Sequence, residues 1–396
     1  MSYKKRIALL VFGASFLTSC LNPDSSNENR SSILALIGSV SSEQQNAERP
    51  SLHELIASSN DQNRLITSAN SRVYTLYQGD SSFSPAGIAV DKYTNVYVAD
   101  PDHNCVRKVD IYGKMTTIVG KSFLPGNKDG AGVDLNVKLN RPSYVAVDDQ
   151  AKYIYISDTN NHRIRKYDIA NDMLSTVVGT VAGYHDGAGT YDVRLNTPKG
   201  IDLSFDNKYL FIADYGNNKV RRYDIANDMV DTIVPNAVTI GDYGPFDISA
   251  SPIPSHVFYN TYDYSPVLTP ESMCTVNYDF VKQNVIAHGC ENGAVGSGNS
   301  LFGGGGLTIS RYHDPADGNQ IGATFFATET TFPKTKGGVF RESVQVNSWD
   351  ARADQIGYRD GAFGFALFNH PMDVVQSLGG IVFVSDRGNR AIRFIY

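Results

Sequence analysis

The fold of this chain is decided by residues 153–168, which read YIYISDTNNHRIRKYD. Two short apolar runs flank a polar turn, a pattern typical of two antiparallel β-strands. In the first run Tyr153 and Tyr155 alternate with Ile154 and Ile156. That alternation predicts a strand whose two faces meet different surroundings.

The same pattern recurs along the chain. Its aspartate stands at Asp100, Asp158, Asp214 and Asp386, and the first three are 58 and 56 residues apart. A fixed period indicates one structural unit used several times. Each unit is predicted to hold four antiparallel strands, a to d. Strand a is found six times, after Pro85, Pro142, Pro198, Pro245 and Pro371 and once at 306–310. The sequence therefore predicts an all-β, six-bladed β-propeller with four-stranded antiparallel blades over residues 72–396.

The ring is predicted to close through a segment far from the last repeat. The last unit reaches Tyr396 directly after its strand c, so a strand d is missing there. Residues 72–79 read RVYTLYQG and match the strand d segment 114–120. We expect residues 72–79 to pair with the last strand c, which would remove an exposed sheet edge.

Composition agrees with an all-β fold and excludes one class of partner. The chain has 23 Tyr, 19 Phe and 35 Gly among 396 residues, as expected for many short aromatic strands joined by glycine turns. Its net charge is −6, which argues against binding nucleic acid by neutralising phosphates.

The first residues carry a targeting pattern. A positive start, Lys4 to Arg6, precedes an apolar run at 7–17 that is too short to span a bilayer as a helix. Residues 17–20 read LTSC and resemble the lipobox of bacterial lipoproteins. The resemblance implies a lipoprotein signal peptide at 1–19 and acylation (palmitate-type lipidation) of Cys20, which would anchor the protein to a membrane of the cell envelope. The alternative is an ordinary cleaved signal peptide with a chance cysteine.

Residues 20–71 are rich in Ser, Asn, Glu and Gln. We interpret them as a flexible tether between the lipid and the propeller. A short partner-docking helix at 52–57 is the alternative.

The units resemble NHL repeats. The resemblance rests on residues 85–91 (PAGIAVD), 95–100 (NVYVAD), 161–166 (NHRIRK) and the inter-blade loop 129–132 (DGAG). It implies the propeller fold but no single activity, because such propellers serve as binding platforms in some proteins and as lactonases, lyases or hydrolases in others.

Repeated charged residues are interpreted as structural. The aspartates named above recur with arginines at Arg107, Arg165, Arg221 and Arg393. Aspartate can cap a turn, and arginine can donate several hydrogen bonds to carbonyl groups. A function seldom needs four copies of one residue, whereas a repeated turn does.

The central channel is the candidate place for a metal. Strand alternation predicts that Asp202, Asp247 and Asp373 approach the axis, where metal-dependent propeller lactonases hold calcium. Calcium takes six to eight oxygen ligands, more than these carboxylates supply. A water-filled polar channel without a cofactor is the alternative.

Cysteine spacing predicts one local bond. Cys274 and Cys290 fall opposite each other in a predicted hairpin, and an exported protein can hold a disulfide there. Cys105 is interpreted as an unpaired turn residue. No sequence motif for a catalytic nucleophile is present, so no catalytic residue is assigned.

These observations predict a monomeric, membrane-anchored lipoprotein whose propeller binds a protein, a glycan or another ligand. The alternative is a calcium-dependent hydrolase or lactonase acting at the channel. A candidate binding patch consists of aromatic residues in the divergent fourth and fifth units, because aromatics dominate binding hot spots. Its members are Tyr259, Tyr262, Tyr264, Phe332 and Trp349. Packing between blades is the other explanation for these side chains.

Overall fold

A computed structural model describes much of the chain. The described residues are 51–58, 72–131, 137–237, 244–250, 256–263, 272–279, 281–282, 284–290, 307–309, 324–328, 339–343, 346–350, 357–362 and 366–396. Between 251 and 356, side chains are described only at 257–259, 278–279 and 281–282. Within this part of the chain, no helix is long and apolar enough to cross a membrane.

One helix, α1, spans Leu52–Ser58. Ser51 and Glu54 form a capping box at its start: Glu54 N donates to Ser51 Oγ at 3.2 Å, and Ser51 N donates to Glu54 Oε2 at 2.7 Å. The helix lies inside the segment 20–71 that is predicted to be a flexible tether, and the tether stays a prediction. The alternative, a short helix near 52–57, is confirmed as an element, while its docking role stays a prediction.

The remaining described elements are strands. The first strand along the chain is β1 (Arg72–Gln78). Sheet 1 then contains β2 (Ile88–Val90), β3 (Val96–Asp100), β4 (Cys105–Val109) and β5 (Met115–Gly120). Sheet 2 contains β6 (Gly130–Ala131), β7 (Pro142–Val147), β8 (Tyr153–Asp158), β9 (Arg163–Asp168) and β10 (Met173–Val178). Sheet 3 contains β11 (Gly187–Ala188), β12 (Ile201–Leu203), β13 (Tyr209–Asp214), β14 (Lys219–Asp224) and β15 (Met229–Val234).

The second half of the chain supplies three more sheets. Sheet 4 contains β16 (Pro245–Ala250), β17 (His256–Asp263), β18 (Ser272–Asp279) and β19 (Asn284–Cys290). Sheet 5 contains β20 (Leu307–Ile309), β21 (Thr324–Thr328), β22 (Val339–Ser343) and β23 (Val346–Asp350). Sheet 6 contains β24 (Gly361–Ala362), β25 (Pro371–Gln376), β26 (Val382–Asp386) and β27 (Ala391–Ile395), together with β1.

Within every sheet, neighbouring strands pair antiparallel. The innermost strands contact one another in the cyclic order β2, β7, β12, β16, β20, β25 and back to β2. Backbone bonds join some of them directly, because Gly87 N donates to Ser143 O at 2.9 Å and Gly200 N donates to Phe246 O at 3.0 Å. Sheets arranged radially around a central channel form a β-propeller, so the predicted all-β propeller is confirmed.

The predicted ring closure is also confirmed. Strand β1 pairs antiparallel with β27, with Val73 opposite Ile395 and Tyr74 opposite Phe394. Gly79, just after the strand, donates its backbone N–H to Arg390 O at 2.8 Å. The Val73 side chain is completely buried in sheet 6. The segment therefore contributes both hydrogen bonds and core to the last sheet.

The core lies between adjacent sheets rather than at the axis. Three described connections between sheets each insert a pair of buried apolar side chains between the neighbouring sheets. These pairs are Val137 with Leu139, Val193 with Leu195, and Ala366 with Phe368. The connections thus act as part of the packing between sheets.

Candidate functional site

The repeated aspartate and arginine form a buried corner in sheet 2. Arg165 is fully buried and donates from Nη1 to Asp158 Oδ2 at 2.6 Å and from Nε to Asp129 Oδ1 at 3.2 Å. It also donates to Lys138 O at 3.3 Å. Asp158 accepts the backbone N–H of Asn140 at 2.7 Å. Two carboxylates and a carbonyl therefore surround one guanidinium, which satisfies its fork of donors.

The copies of this corner in sheets 3 and 6 repeat the arrangement. Arg221 donates to Asp214 at 2.8 Å and contacts Asp186, and Arg393 donates to Asp386 at 2.8 Å and to Asp360 at 2.6 Å. The structural interpretation of the repeated charges is confirmed. These aspartates do not cap the backbone N–H groups of the turn that follows them. They accept from the side chains of Asn161, Asn217 and Asn389 in that turn and from backbone N–H groups of the connection between sheets.

Burial dominates the electrostatics of the corner. It raises the pKa of Asp386 to about 6, even though Arg393 and the hydrogen-bond donors oppose the shift. Burial raises the pKa of Asp158 and Asp214 in the same direction. These carboxylates are therefore desolvated and enclosed, which suits a structural role better than contact with a substrate.

Loops that begin Asp-Gly-Ala hold the outer strand of sheets 2, 3 and 6. Asp129 accepts the N–H of Thr176 at 3.0 Å, and Asp186 accepts that of Thr232 at 3.2 Å. In sheet 6, Asp360 accepts the N–H of Thr75 at 3.1 Å. Thr75 belongs to β1. The closing strand therefore occupies the position of strand d and makes the same contact with the loop aspartate as strand d does in sheets 2 and 3.

The three predicted channel carboxylates line one cavity of about 80 Å³. Asp373 accepts the N–H of Ile88 in the next sheet at 2.7 Å and that of Val374 at 2.7 Å. Asp202 accepts the N–H of Ala250 in the next sheet at 2.9 Å, and Asp247 accepts that of Ile248 at 2.8 Å. All three therefore line the channel, where Asp373 and Asp202 join neighbouring inner strands and Asp247 bonds the next residue of its own strand.

The described residues contain no group of three Asp, Glu, His or Cys side chains that could hold a metal ion. Burial and the nearby Asp202 carboxylate raise the pKa of Asp373 to about 8. Tyr144 lines the same cavity, and burial together with Asp247 and Asp373 raises its pKa strongly. The cavity is therefore small, polar and enclosed by groups that disfavour further negative charge.

Most of the predicted aromatic patch lies outside the described side chains. This holds for Tyr262, Tyr264, Phe332 and Trp349, as it does for Cys20. Tyr259 is described and is completely buried in the core between sheets 3 and 4, so its assignment to a surface patch was wrong. The alternative explanation, packing between blades, is correct for Tyr259.

The cysteines agree with the predicted geometry as far as the structure describes them. The backbone register places Cys274 opposite Cys290 in the β18–β19 pair. Cys105 is a free, buried cysteine, and burial raises its pKa to about 12. A thiol with that pKa is a poor nucleophile at neutral pH.

Sequence reasoning missed a groove at the seam between sheet 6 and sheet 1, which we call the closing seam. Residues 121–141 connect sheets 1 and 2, and residues 179–200 connect sheets 2 and 3. The closing seam has only residues 79–87, without a two-residue strand like β6 or β11. The short connection leaves space on the surface that longer connections fill elsewhere.

That space is a cavity of about 650 Å³, which we call the seam groove. Its lining includes Phe83, Asp102, Phe123, Met372, Arg387 and Arg390. The volume is within the range of small-molecule sites, and the mixture of apolar walls with a few charged groups is typical of them. The lengths of the connections were visible in the sequence and could have revealed the groove.

Arg390 occupies a repeat position whose side chain joins neighbouring sheets in two of the other copies. The same position is Asn104 in sheet 1 and His162 in sheet 2, and all three residues have left-handed backbones, with φ of 53°, 57° and 54°. Asn104 Oδ1 accepts the N–H of Arg141 at 2.9 Å, and His162 Nδ1 accepts that of Thr197 at 3.0 Å. Arginine has no acceptor, so Arg390 cannot make this link between sheets.

The opposite wall of the seam groove carries an exposed aromatic. Phe123 is 67% exposed, has a φ of +63°, and lies edge-on to the His103 ring at 4.9 Å between centroids. A bulky side chain at positive φ is uncommon and costs conformational free energy. Its exposure and strain are not explained by core packing.

One ion pair crosses the groove. Arg387 Nη2 lies 2.8 Å from Asp102 Oδ2, and Asp102 also accepts a hydrogen bond from Ser84 at 2.7 Å and pairs with Arg141 at 3.3 Å. These donors hold the pKa of Asp102 below its ordinary value. The only carboxylate of the described lining is therefore already neutralised by its neighbours.

Comparison with known proteins agrees with this architecture. The family model described as "Lactonase, 7-bladed beta-propeller" matches residues 125–245. The human protein "NHL repeat-containing protein 2" is 27% identical over 173 residues, which cover 40% of this chain and 24% of that protein. The chain therefore spans about a quarter of the length of this relative.

Solved structures share the fold at low identity. An auxiliary nutrient-binding protein from Bacteroides ovatus matches with a TM-score of 0.57 and 13% identity, covering 83% of this chain and 76% of that chain. A gluconolactonase from Xanthomonas campestris matches with a TM-score of 0.54 and 12% identity, covering 83% of this chain and 91% of that chain. At such identities the likeness concerns the fold alone.

Proposed function

We propose that this chain, an NHL-type β-propeller, is a ligand-binding platform of the bacterial cell envelope and that the seam groove is its binding site. The observation that carries the proposal is the cavity of about 650 Å³ at the closing seam, which has aromatic and cationic side chains on its walls. The ring interfaces with long connections use the equivalent space for core packing. A position freed from packing is available for a ligand.

The other described charged groups of the repeats make structural contacts. The buried arginines pair with buried aspartates, and the channel carboxylates accept backbone N–H groups. The solved relative named as a nutrient-binding protein makes a binding role consistent with the fold. We propose that the platform acts as a monomer toward a protein, a glycan or a smaller ligand.

The platform is proposed to have six blades. Six sheets and the cyclic order of their inner strands support this count. The fifth is described by its backbone, and the others also by side chains.

The binding proposal is tested by blocking the groove. Ser81 lines the groove and is exposed, so Ser81→Trp should fill it without disturbing the core. A library of small metabolites and oligosaccharides would be screened by ligand-observed NMR against wild type and this variant. Met173→Trp, on the outer strand of sheet 2, is the matched control because Met173 is 46% exposed and outside the groove.

We expect compounds that bind wild type and Met173→Trp but not Ser81→Trp. Binding that survives equally in all three proteins would place the site elsewhere and overturn the proposal. The same conclusion follows if no compound of any chemical class binds wild type.

The membrane anchor is a second part of the proposal. Acylation of Cys20 would hold the propeller at a membrane surface, since two or more acyl chains bind stably. Intact mass of the protein purified from membranes, compared with Cys20→Ser, tests it. Loss of the acyl mass and release of the variant into the soluble fraction are expected; an unmodified Cys20 in the membrane-extracted protein would contradict it.

We also propose a disulfide between Cys274 and Cys290. Their opposite positions in the register support it. Alkylation in denaturant without reductant should then modify Cys105 and leave this pair unmodified. Full alkylation of the pair would exclude the bond.

A calcium-dependent hydrolase remains the alternative function. The engagement of Asp202, Asp247 and Asp373 with backbone N–H groups argues against it, because calcium ligands need free oxygen atoms. Bound calcium in the purified protein that disappears in Asp373→Ala would favour this alternative.

A further inference from the structure

We infer that the seam groove recognises a small ligand that carries a carboxylate next to a ring, with Arg390 binding the carboxylate and Phe123 contacting the ring. The inference rests on the proposed binding function and adds the chemistry of the ligand. It follows from three features of the groove: an arginine without a structural partner, an excess of positive charge, and an exposed aromatic wall.

The first feature is the side chain of Arg390. It is exposed, lines the groove, and makes no side-chain hydrogen bond or ion pair within the described part of the chain. Its described electrostatic partner is Asp80, which is itself fully exposed and occupied by the N–H and hydroxyl of Ser82 at 2.7 and 2.6 Å. The guanidinium therefore keeps its planar fork of donors for a carboxylate.

The backbone holds this fork at the groove. Arg390 O accepts the N–H of Gly79, and Arg390 N donates to Arg387 O at 2.9 Å, so the turn is attached to the closing strand at its end. At the equivalent position, the side chains of Asn104 and His162 accept backbone N–H groups and so join neighbouring sheets. At this position arginine stands in place of the acceptors that Asn104 and His162 supply, and it places a cation at the seam groove.

The second feature is the charge balance of the lining. Asp102 is paired with Arg387 and receives further donors from Ser84 and Arg141. His103 lines the groove but directs Nδ1 to Asp100 at 2.6 Å. His370 and Arg390 remain as basic groups of the lining. An added carboxylate would meet unpaired donors, whereas an added cation would find Asp102 already neutralised.

The third feature is the aromatic wall. Phe123 faces solvent beside His103, and Phe83 is 1% exposed at the floor, edge-on to Tyr77 at 5.3 Å between ring centroids. A ring placed on Phe123 would cover apolar surface that water now contacts. A carboxylate adjacent to that ring would lie toward Arg390 on the other wall.

Matched pairs of probes test this chemistry in the full chain. Benzoate is compared with benzyl alcohol, and glucuronate is compared with methyl glucoside, by isothermal titration calorimetry at low salt. We expect each carboxylate to bind more tightly than its neutral partner. Raising the salt concentration should weaken binding of the carboxylates, because ionic attraction at an exposed site is screened.

Variants then assign the roles. Arg390→Gln should weaken carboxylate binding about tenfold or more, since a hydrogen-bonded charge contact is lost. Arg390→Lys should bind carboxylates with an affinity between those of wild type and Arg390→Gln, because lysine keeps the positive charge and lacks the planar fork of donors. Phe123→Ala should weaken ring-bearing carboxylates and leave acetate unchanged. Arg222→Gln, which removes one charge in strand β14 outside the groove lining, is the control and should bind as wild type.

The outcomes separate this inference from the proposed function. Equal binding of acids and neutral partners, unchanged binding in Arg390→Gln, or no binding of either carboxylate to wild type would each overturn the inference. Neutral compounds that bind wild type and are excluded by Ser81→Trp would still support the groove as a site. Failure of every compound in both experiments would overturn both.

Discussion

The seam between sheets 2 and 3 and the closing seam are built from the same repeat, yet they differ in what fills them. At the first, a long connection inserts Val193 and Leu195 and presents Asp186 to a buried arginine. At the closing seam, a short connection inserts Phe83 and offers Arg107 the carbonyl of Ser82 in place of a second carboxylate. The comparison teaches that a repeat fold acquires a site where its regular packing is interrupted.

The largest expected effect concerns the strand that makes the closing seam possible. Deleting residues 72–79 removes the partner of β27 and the buried Val73. We expect a loss of several kcal/mol, equivalent to a melting temperature lower by roughly 10 °C or more. Differential scanning calorimetry measures it. An unchanged melting curve would mean that the ring does not depend on this strand.

The second prediction compares equivalent arginines at the two seams. Arg221→Met leaves Asp214 buried without its cation and should destabilise the protein by about 3–5 kcal/mol. Arg107→Met should cost less, about 1–3 kcal/mol, because Arg107 pairs with one carboxylate that also contacts His103. Urea denaturation followed by fluorescence gives both values. Equal losses of unfolding free energy in the two variants would contradict the proposed difference in stability between the two seams.

The third prediction uses the channel, where all sheets meet. The pKa of Asp373 is raised from 3.8 to about 8, so the folded protein holds a proton that the unfolded chain loses over that range. Stability contributed by this group should therefore fall as pH rises from about 4 to 8. Asp373→Asn should make the melting temperature less dependent on pH in that window, at the cost of one acceptor oxygen. Asp231→Asn, on the exposed edge of sheet 3, is the control that should follow wild type.

The smallest effects compare the same repeat position at two seams. His162→Ala removes the acceptor for Thr197 N and should cost about 1 kcal/mol. Arg390→Ala, at the closing seam, should change stability by less than about 0.5 kcal/mol, because its side chain has no structural bond among the described residues. Denaturant titration of the two variants measures the difference. A larger loss in Arg390→Ala would show that this arginine is structural.

Much of the architecture could be predicted from pattern alone. The recurring aspartates located strands b and c, and the match between residues 72–79 and strand d located the closing strand, because both depend on local alternation and on repeat spacing. The three channel aspartates were also placed correctly by the alternation of strand a. Their role was not, because the N–H of Ile88 reaches Asp373 only when the first and last sheets meet.

The site was less predictable. Tyr259 is of a residue type common at binding sites, but its side chain is buried in the core. Residue type alone does not tell which face of a strand is covered by a neighbouring sheet. The sequence pattern does not distinguish Arg390, because it stands in a turn position that other copies fill with Asn or His. Its significance depends on the groove beside it.

By itself, the sequence determined the repeating unit and the strand order within it, because strand alternation is a local pattern. It also determined the pairing of the two distant ends, because residues 72–79 match the strand d that the last unit lacks. Only the tertiary structure decided which charged side chains are consumed by packing and which remain available. At the closing seam the short connection 79–87 leaves a groove, whereas the long connection 179–200 packs Val193 and Leu195 between sheets 2 and 3.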